Sequence, residues 1–233
     1  VVWVFFSYLF YLGMTGAPYE FWAADVYTYE RLAGIVVANG WDGIQNLIDS
    51  VGLSDSGYAA YLGTIYTIFG KGVIIPRLIK ALLGAFAAVL IYRVASRNFG
   101  EETGRIAGIF YMLMPNLIYY TGSHLKEAER VFLVVAFIER ADYVIRNKNY
   151  NFINIASPVL LAGLLFMFRT VLGATALFAF MTTILLSGNK VLNMGKRMIL
   201  AIWIGLAAVY LVGGKIATEI EQVWESRAEN QKT

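Results

Sequence analysis

The chain has 233 residues, of which 58% are hydrophobic and 15% charged, with no cysteine and a formal net charge of +3. Soluble domains carry about 25% charged residues, so this composition with its long apolar runs belongs to the membrane class. The absent thiols exclude disulfides and a thiolate metal site, and the slight basic excess sits at the ends of apolar runs, where it signals topology and not nucleic-acid binding.

Val1 to Gly13 is apolar but too short to cross about 30 Å of hydrocarbon, which takes roughly 20 residues. It reads as a truncated first membrane helix whose start lies upstream. Residues 14–76 then form a polar stretch, read as a first extracytoplasmic loop. It opens with Phe21, Trp22, Ala23, Ala24 and Asp25, and continues through Tyr27, Tyr29 and Glu30 to Ala33. Val26, Tyr29, Ala33, Val36 and Val37 share a helical face with Asp25 at its start, and Gly40 ends the run. Trp41, Ile44, Leu47, Ile48 and Val51 form a second face ended by Gly52, and Tyr58, Tyr61, Leu62, Ile65 and Phe69 a third. Such short amphipathic helices rich in Trp and Tyr are expected to lie in the headgroup plane.

Six further apolar segments follow: Leu78 to Ala95, Ile106 to Tyr120, Ala128 to Ile145, Phe152 to Phe168, Thr170 to Leu186, and Met198 to Gly213. Pro115 and Pro158 fall inside two of them, where neighbouring helices can satisfy the freed backbone groups. The fold class is therefore all-α: a polytopic bundle of about seven membrane helices forming a single domain over 1–233. Arg93, Arg97 and Arg105 share one side with Arg146, Lys148, Lys190, Lys196 and Arg197, which makes that side cytoplasmic. Of the 16 acidic residues, all but Glu101, Glu102, Glu139 and Asp142 fall on the opposite face.

Three places could carry chemistry on that outer face. Asp25 can act as general base, or as a carboxylate ligand to a divalent metal ion, as well as helix N-cap. The turn Thr121 to Arg130 gathers His124, Lys126, Glu127 and Glu129 at a helix entrance. Glu127 is the candidate second carboxylate, although the helix dipole alone also favours acids there. Arg169, between two apolar runs, can grip phosphate bidentately or anchor the interface. Arg77 and Lys80 are weaker versions of the same idea. Glu139, Arg140 and Asp142 read as packing residues. There is no Walker loop, zinc-ligand spacing or Ser-His-Asp arrangement.

Taken in order, four stretches resemble the GT-C membrane glycosyltransferases, in particular bacterial members of glycosyltransferase family 39, which includes protein O-mannosyltransferases and lipid A aminoarabinose transferases. They are Asp25-Val26-Tyr27-Thr28-Tyr29 with Leu32-Ala33; Pro76-Arg77-Leu78 through Ile91-Tyr92-Arg93 to Phe99-Gly100; Ile106-Ala107 through Pro115-Asn116 to Tyr119-Tyr120; and Ser123 to Glu127. The resemblance implies a sugar donor linked to polyprenyl phosphate, an acceptor that is a glycan, lipid or protein, and a bacterial inner membrane with the active site on the periplasmic face. It implies Asp25 as base and Glu127 as its companion in positioning acceptor or sugar. Arg169, with Lys126 and Arg77 behind it, would neutralise the departing lipid phosphate, and Tyr29 and His124 would contact substrate. The rival reading is a non-enzymatic flippase or transporter for lipid-linked sugars, which should place ionisable residues near mid-membrane. A structural subunit whose loop docks a partner is the third.

Overall fold

A computed structural model describes residues 1–21, 24–147 and 151–186, together with Gly195, Met198, Ile199, Ile202, Trp203, Gly205 and Leu206. Trp22, Ala23, Lys148, Lys190, Lys196, Arg197, most of the Met198 to Gly213 segment and the C-terminal tail lie outside the described residues. Over the rest the chain is helical: α1 (Val2–Thr15), α2 (Ala24–Val51), α3 (Leu53–Phe69), α4 (Ile74–Phe99), α5 (Glu101–Leu113), α6 (Pro115–Gly122), α7 (Glu127–Asn147), α8 (Phe152–Phe168) and α9 (Thr170–Leu186).

Glycines shape the first loop. Gly40 (φ 59°, ψ −130°) kinks α2, and Gly52 (φ 75°) turns the chain back so that α3 runs along α2. The two helices cross at Gly63, where an added Cβ would lie 2.5 Å from the Val36 Cβ. The inward face of this hairpin packs on the helix bundle. Tyr29, Ala33, Tyr58, Leu62, Ile65 and Tyr66 enter one core with Leu133 and Phe137 of α7, Leu165 and Phe166 of α8, and Leu177 and Phe180 of α9. A Cβ at Gly57 would meet the Met167 carbonyl oxygen at 2.5 Å, so α3 is pressed backbone-to-backbone on α8. Protein thus covers the apolar face of α3 along α8.

The segment read as one span from Ile106 to Tyr120 is two helices. Proline disfavours the helical region for the residue before it, and Met114 is extended (φ −68°, ψ 114°), so α5 stops and Pro115 starts α6. Pro158, by contrast, sits within α8. The α8 and α9 boundaries match the two apolar runs read from the sequence, with Arg169 the extended single-residue joint between them (φ −164°, ψ 112°).

By length and composition, α4 is the one described helix able to cross a membrane; α1, α8 and α9 are shorter apolar helices. Phe5, Phe6 and Leu9 of α1, Ile109 and Phe110 of α5, and Leu160 of α8 face outward, an apolar exterior suited to hydrocarbon. The protein is a membrane helix bundle. Its helices α4 and α7 run in the same direction, because Lys80 pairs with Glu129 near their starts and Arg97 with Glu139 and Asp142 near their ends. Glu139 is thus held mainly from α4, and its links to Arg93 (3.8 Å) and Arg140 (3.5 Å) are looser.

Candidate functional site

Where the first loop meets the start of α4 and the α6–α7 connection, ionisable side chains are buried together: Glu20, Glu30, Arg77, Lys80, His124 and Glu129. An isolated charge so placed would cost several kcal/mol, so these groups must occur as partners.

Glu20 belongs to the irregular segment between α1 and α2. Its Oε1 accepts the backbone N–H of His124 and lies 3.8 Å from the Arg77 guanidinium, while its Oε2 has no hydrogen-bond partner. Arg77 Nη2 also donates to the Pro18 carbonyl at 2.7 Å, which ties this segment to α4. Nε and Nη1 of Arg77 are left without partners. Lys80, one turn further, is used up differently. Its ammonium donates to the carbonyls of Ser123 (3.0 Å) and Leu125 and to the Tyr58 hydroxyl (3.4 Å), beside Glu129 at 3.5 Å. An ammonium has three donors, so Lys80 is a structural pin for the α6–α7 connection.

His124 occupies the centre and is fully enclosed. Its Nε2 lies 3.1 Å from Glu30 Oε1 and 3.1 Å from the Tyr66 hydroxyl, which itself donates to Glu30. Its carbonyl accepts the Tyr58 hydroxyl at 3.1 Å. The Tyr19 ring packs 5.9 Å from the imidazole. Burial holds the imidazole below its ordinary value, against the pull of the Glu30 hydrogen bond, so it is neutral near pH 7. Burial alone would raise the Glu30 carboxyl. Hydrogen bonds from His124 and Tyr66 and the nearby Lys71 outweigh it and bring the carboxyl down to about 2. Of the two opposing tendencies in this pair, burial decides for the imidazole and hydrogen bonding for the carboxylate, because Glu30 also has Lys71 at 3.2 Å at the solvent edge. Burial also raises Tyr19, to about 12, and raises the Tyr58 and Tyr66 hydroxyls, so all three stay neutral and the latter two act as donors.

The residues singled out from sequence divide accordingly. Arg77 and His124 lie in the buried cluster. Tyr29 is buried at its edge, edge-on to Tyr58 at 5.0 Å, with the Lys126 ammonium 5.1 Å from the Tyr29 ring centre. Asp25 is exposed in the first turn of α2. Glu127 is ion-paired with Arg130 on its own helix, at an apolar cleft of about 300 Å³ lined by Leu117, Tyr120, Val134 and Leu172. Arg169 is exposed, and its backbone N–H closes the end of α8. Asp25 and Arg169 are thus exposed, and Glu127 is half-buried beside Arg130.

Sequence reasoning passed over Glu20 and Glu30 and read Glu129 only as a helix-start acid. Glu30 stands between Val26 and Ala33 on the apolar stripe of α2, and Glu129 stands one turn before Leu133 on that of α7. A charged residue inside an apolar stripe was the available signal. Glu20, in irregular chain, had none. Among the described residues no three His, Asp or Glu side chains are arranged to hold a metal ion.

A family model described as the Alg9-like mannosyltransferase family matches residues 10–218. No curated protein and no solved structure matches the chain.

Proposed function

The chain belongs to the Alg9-like mannosyltransferase family, a GT-C family of integral membrane glycosyltransferases that use lipid-linked sugar donors, and on that premise we propose that it transfers mannose from a polyprenyl-phosphate carrier to a glycan hydroxyl at the buried Glu20–Arg77–His124 cluster. The GT-C class read from the sequence stands; the match supports that class and not family 39 in particular.

The observation that carries this reading is a carboxylate with one fixed and one unpartnered oxygen beside a guanidinium with unpartnered donors. In the proposed step the acceptor hydroxyl oxygen bonds to C1 of mannose. The bond from C1 to the phosphate oxygen breaks, and the lipid phosphate leaves with the electron pair. The hydroxyl proton passes to Glu20. The largest developing charge is on the departing phosphate, and Arg77 is suited to meet it, with Nε and Nη1 unused and a planar fork that matches phosphate oxygens. Lys80 has no donor to spare. Lys126, over the Tyr29 ring, and the exposed Arg169 would serve the headgroup or the incoming phosphate.

The site is assigned to the extracytoplasmic face, periplasmic in a bacterial inner membrane. Arg93, Arg97 and Arg146 gather at the opposite ends of α4 and α7, which is the pattern of a cytoplasmic surface. Glu20→Gln and Asp25→Asn in the full-length protein, given labelled mannosyl polyprenyl phosphate and a glycan acceptor, test the reading. Loss of transfer in the first with retention in the second is expected. Full transfer by Glu20→Gln would remove that residue as base, and failure of Asp25→Asn alone would move the role to Asp25. A chelator in the same assay tests the divalent ion.

A further inference from the structure

His124 and Glu30 take no part in the step just described, yet they are the most elaborately held groups in the cluster. The imidazole is enclosed, and its Nε2 is bonded to a carboxylate on α2 and faces a hydroxyl on α3. The same residue's carbonyl is fixed by Tyr58 of α3, and its backbone N–H is the donor to Glu20 Oε1. The peptide group carrying that N–H is held on its Ser123 carbonyl by Lys80 and on its other side by the anchored ring and carbonyl of His124, so it has little freedom to rotate. The direction of the donor, and with it the seat of the Glu20 carboxylate, follows from contacts made by the first-loop hairpin together with Lys80 of α4.

We propose that the His124 ring and Glu30 are positioning residues, which lock the His124 backbone N–H onto Glu20 and so hold the carboxylate in line with the acceptor. This rests on the reading of Glu20 as base. Glu30 acts at two removes: it holds the ring, and the ring holds the main chain. Tyr66 shares both contacts, with its hydroxyl on Glu30 and 3.1 Å from His124 Nε2. Lys71 closes the outer side of Glu30 at 3.2 Å. The α2–α3 hairpin thereby participates in the site without contributing a reacting atom.

A packing role and a positioning role separate in kinetics. Loss of packing lowers the amount of folded enzyme, whereas loss of alignment lowers kcat per folded molecule and leaves donor KM alone. The full-length protein in detergent, with folded fraction measured by size-exclusion and melting, is assayed as His124→Ala, His124→Gln, Glu30→Ala and the double His124→Ala, Glu30→Ala. His124→Ala is expected to lose at least about tenfold in kcat with donor KM within about twofold, because even a misplacement near 1 Å can cost about a hundredfold. His124→Gln, whose amide can still donate to Glu30, is expected to recover most of the loss. The double variant is expected to be no worse than the worse single one, since both break one linkage. Wild-type kcat in folded His124→Ala, a defect confined to KM, or additive losses would each overturn the proposal. If His124→Ala does not fold, Glu30→Gln and Tyr66→Phe carry the test, and unchanged kcat in both is the refuting result. Glu20→Gln run alongside separates the two claims. Inactive Glu20→Gln with fully active His124→Ala sinks positioning alone, whereas active Glu20→Gln sinks the base assignment on which it rests.

Discussion

Replacing Glu30 by glutamine keeps the shape of the side chain and removes its charge, which makes the buried carboxylate measurable through stability. The carboxyl stands at about 2 in the folded protein against an ordinary 4.5. That difference corresponds to about 3 kcal/mol of folding free energy at neutral pH. Part of it is attraction to a charged imidazole, and burial keeps His124 neutral, so about 2 kcal/mol from charge-assisted hydrogen bonds is the better figure. A group whose folded value is depressed stabilises fully above its unfolded value. The contribution of Glu30 is therefore complete above pH 4.5 and disappears as the pH falls toward 2. The depressed His124 acts in the same sense from a higher pH: the unfolded chain takes up its proton below about 6.5 and the folded one resists, so stability falls there too. His124 remains in the variant, so the decline that starts near 6.5 should be common to both proteins. The melting temperature in a non-ionic detergent, followed by tryptophan fluorescence, should be lower in Glu30→Gln by roughly 4–8 °C at pH 7. The gap should narrow below pH 4.5. A gap that stays constant to pH 3 would refute the claim that an ionised Glu30 is what stabilises this junction.

Two structural predictions concern packing that the site depends on. Gly57→Ala should be destabilising by about 2 kcal/mol or more, because its Cβ would sit 2.5 Å from the Met167 carbonyl oxygen and 2.6 Å from its carbon, both main-chain atoms; a melting temperature equal to wild type would show that α3 does not press on α8 there. Arg97→Ala removes the 2.7 Å bonds to Glu139 and Asp142 and leaves Glu139, which is 1% exposed, with only longer links to Arg93 and Arg140. It should cost about 3 kcal/mol in thermal or denaturant stability while kcat per folded molecule stays near wild type, since the ion cluster lies at the far ends of α4 and α7.

The fold was more legible than the site. Gly40 and Gly52 announced the breaks in the loop because only glycine takes those backbone angles cheaply, and the uninterrupted apolar runs at Phe152 to Phe168 and Thr170 to Leu186 had their ends marked by polar residues. Pro115 was misjudged because proline inside an apolar run can be absorbed, as Pro158 is, or can start a new helix; local sequence alone does not separate the two. The contacts of the loop hairpin were not legible for a related reason. An amphipathic face rich in tyrosine suits a headgroup layer and a tyrosine-lined protein core equally well, and its partners on α7, α8 and α9 lie more than 60 residues away in sequence.

The buried cluster escaped sequence reasoning for a single physical reason. Acids at helix starts attract notice in a sequence because the dipole explains them, and Asp25 and Glu127 are of that kind. Buried charges look like errors in an apolar stripe, yet burial is what strengthens an electrostatic contact and fixes its direction. Glu30 on α2, Lys80 on α4 and Glu129 on α7 each break the apolar pattern of their helix, and each finds its partner on another element. Paired interruptions of this sort mark where the first loop has to dock: the hairpin can bury Glu30 only by meeting His124, and the α6–α7 connection can bury its carbonyls only by meeting Lys80. The cluster is therefore assembled by docking of the loop on the bundle, and its chemistry is available only in the docked form.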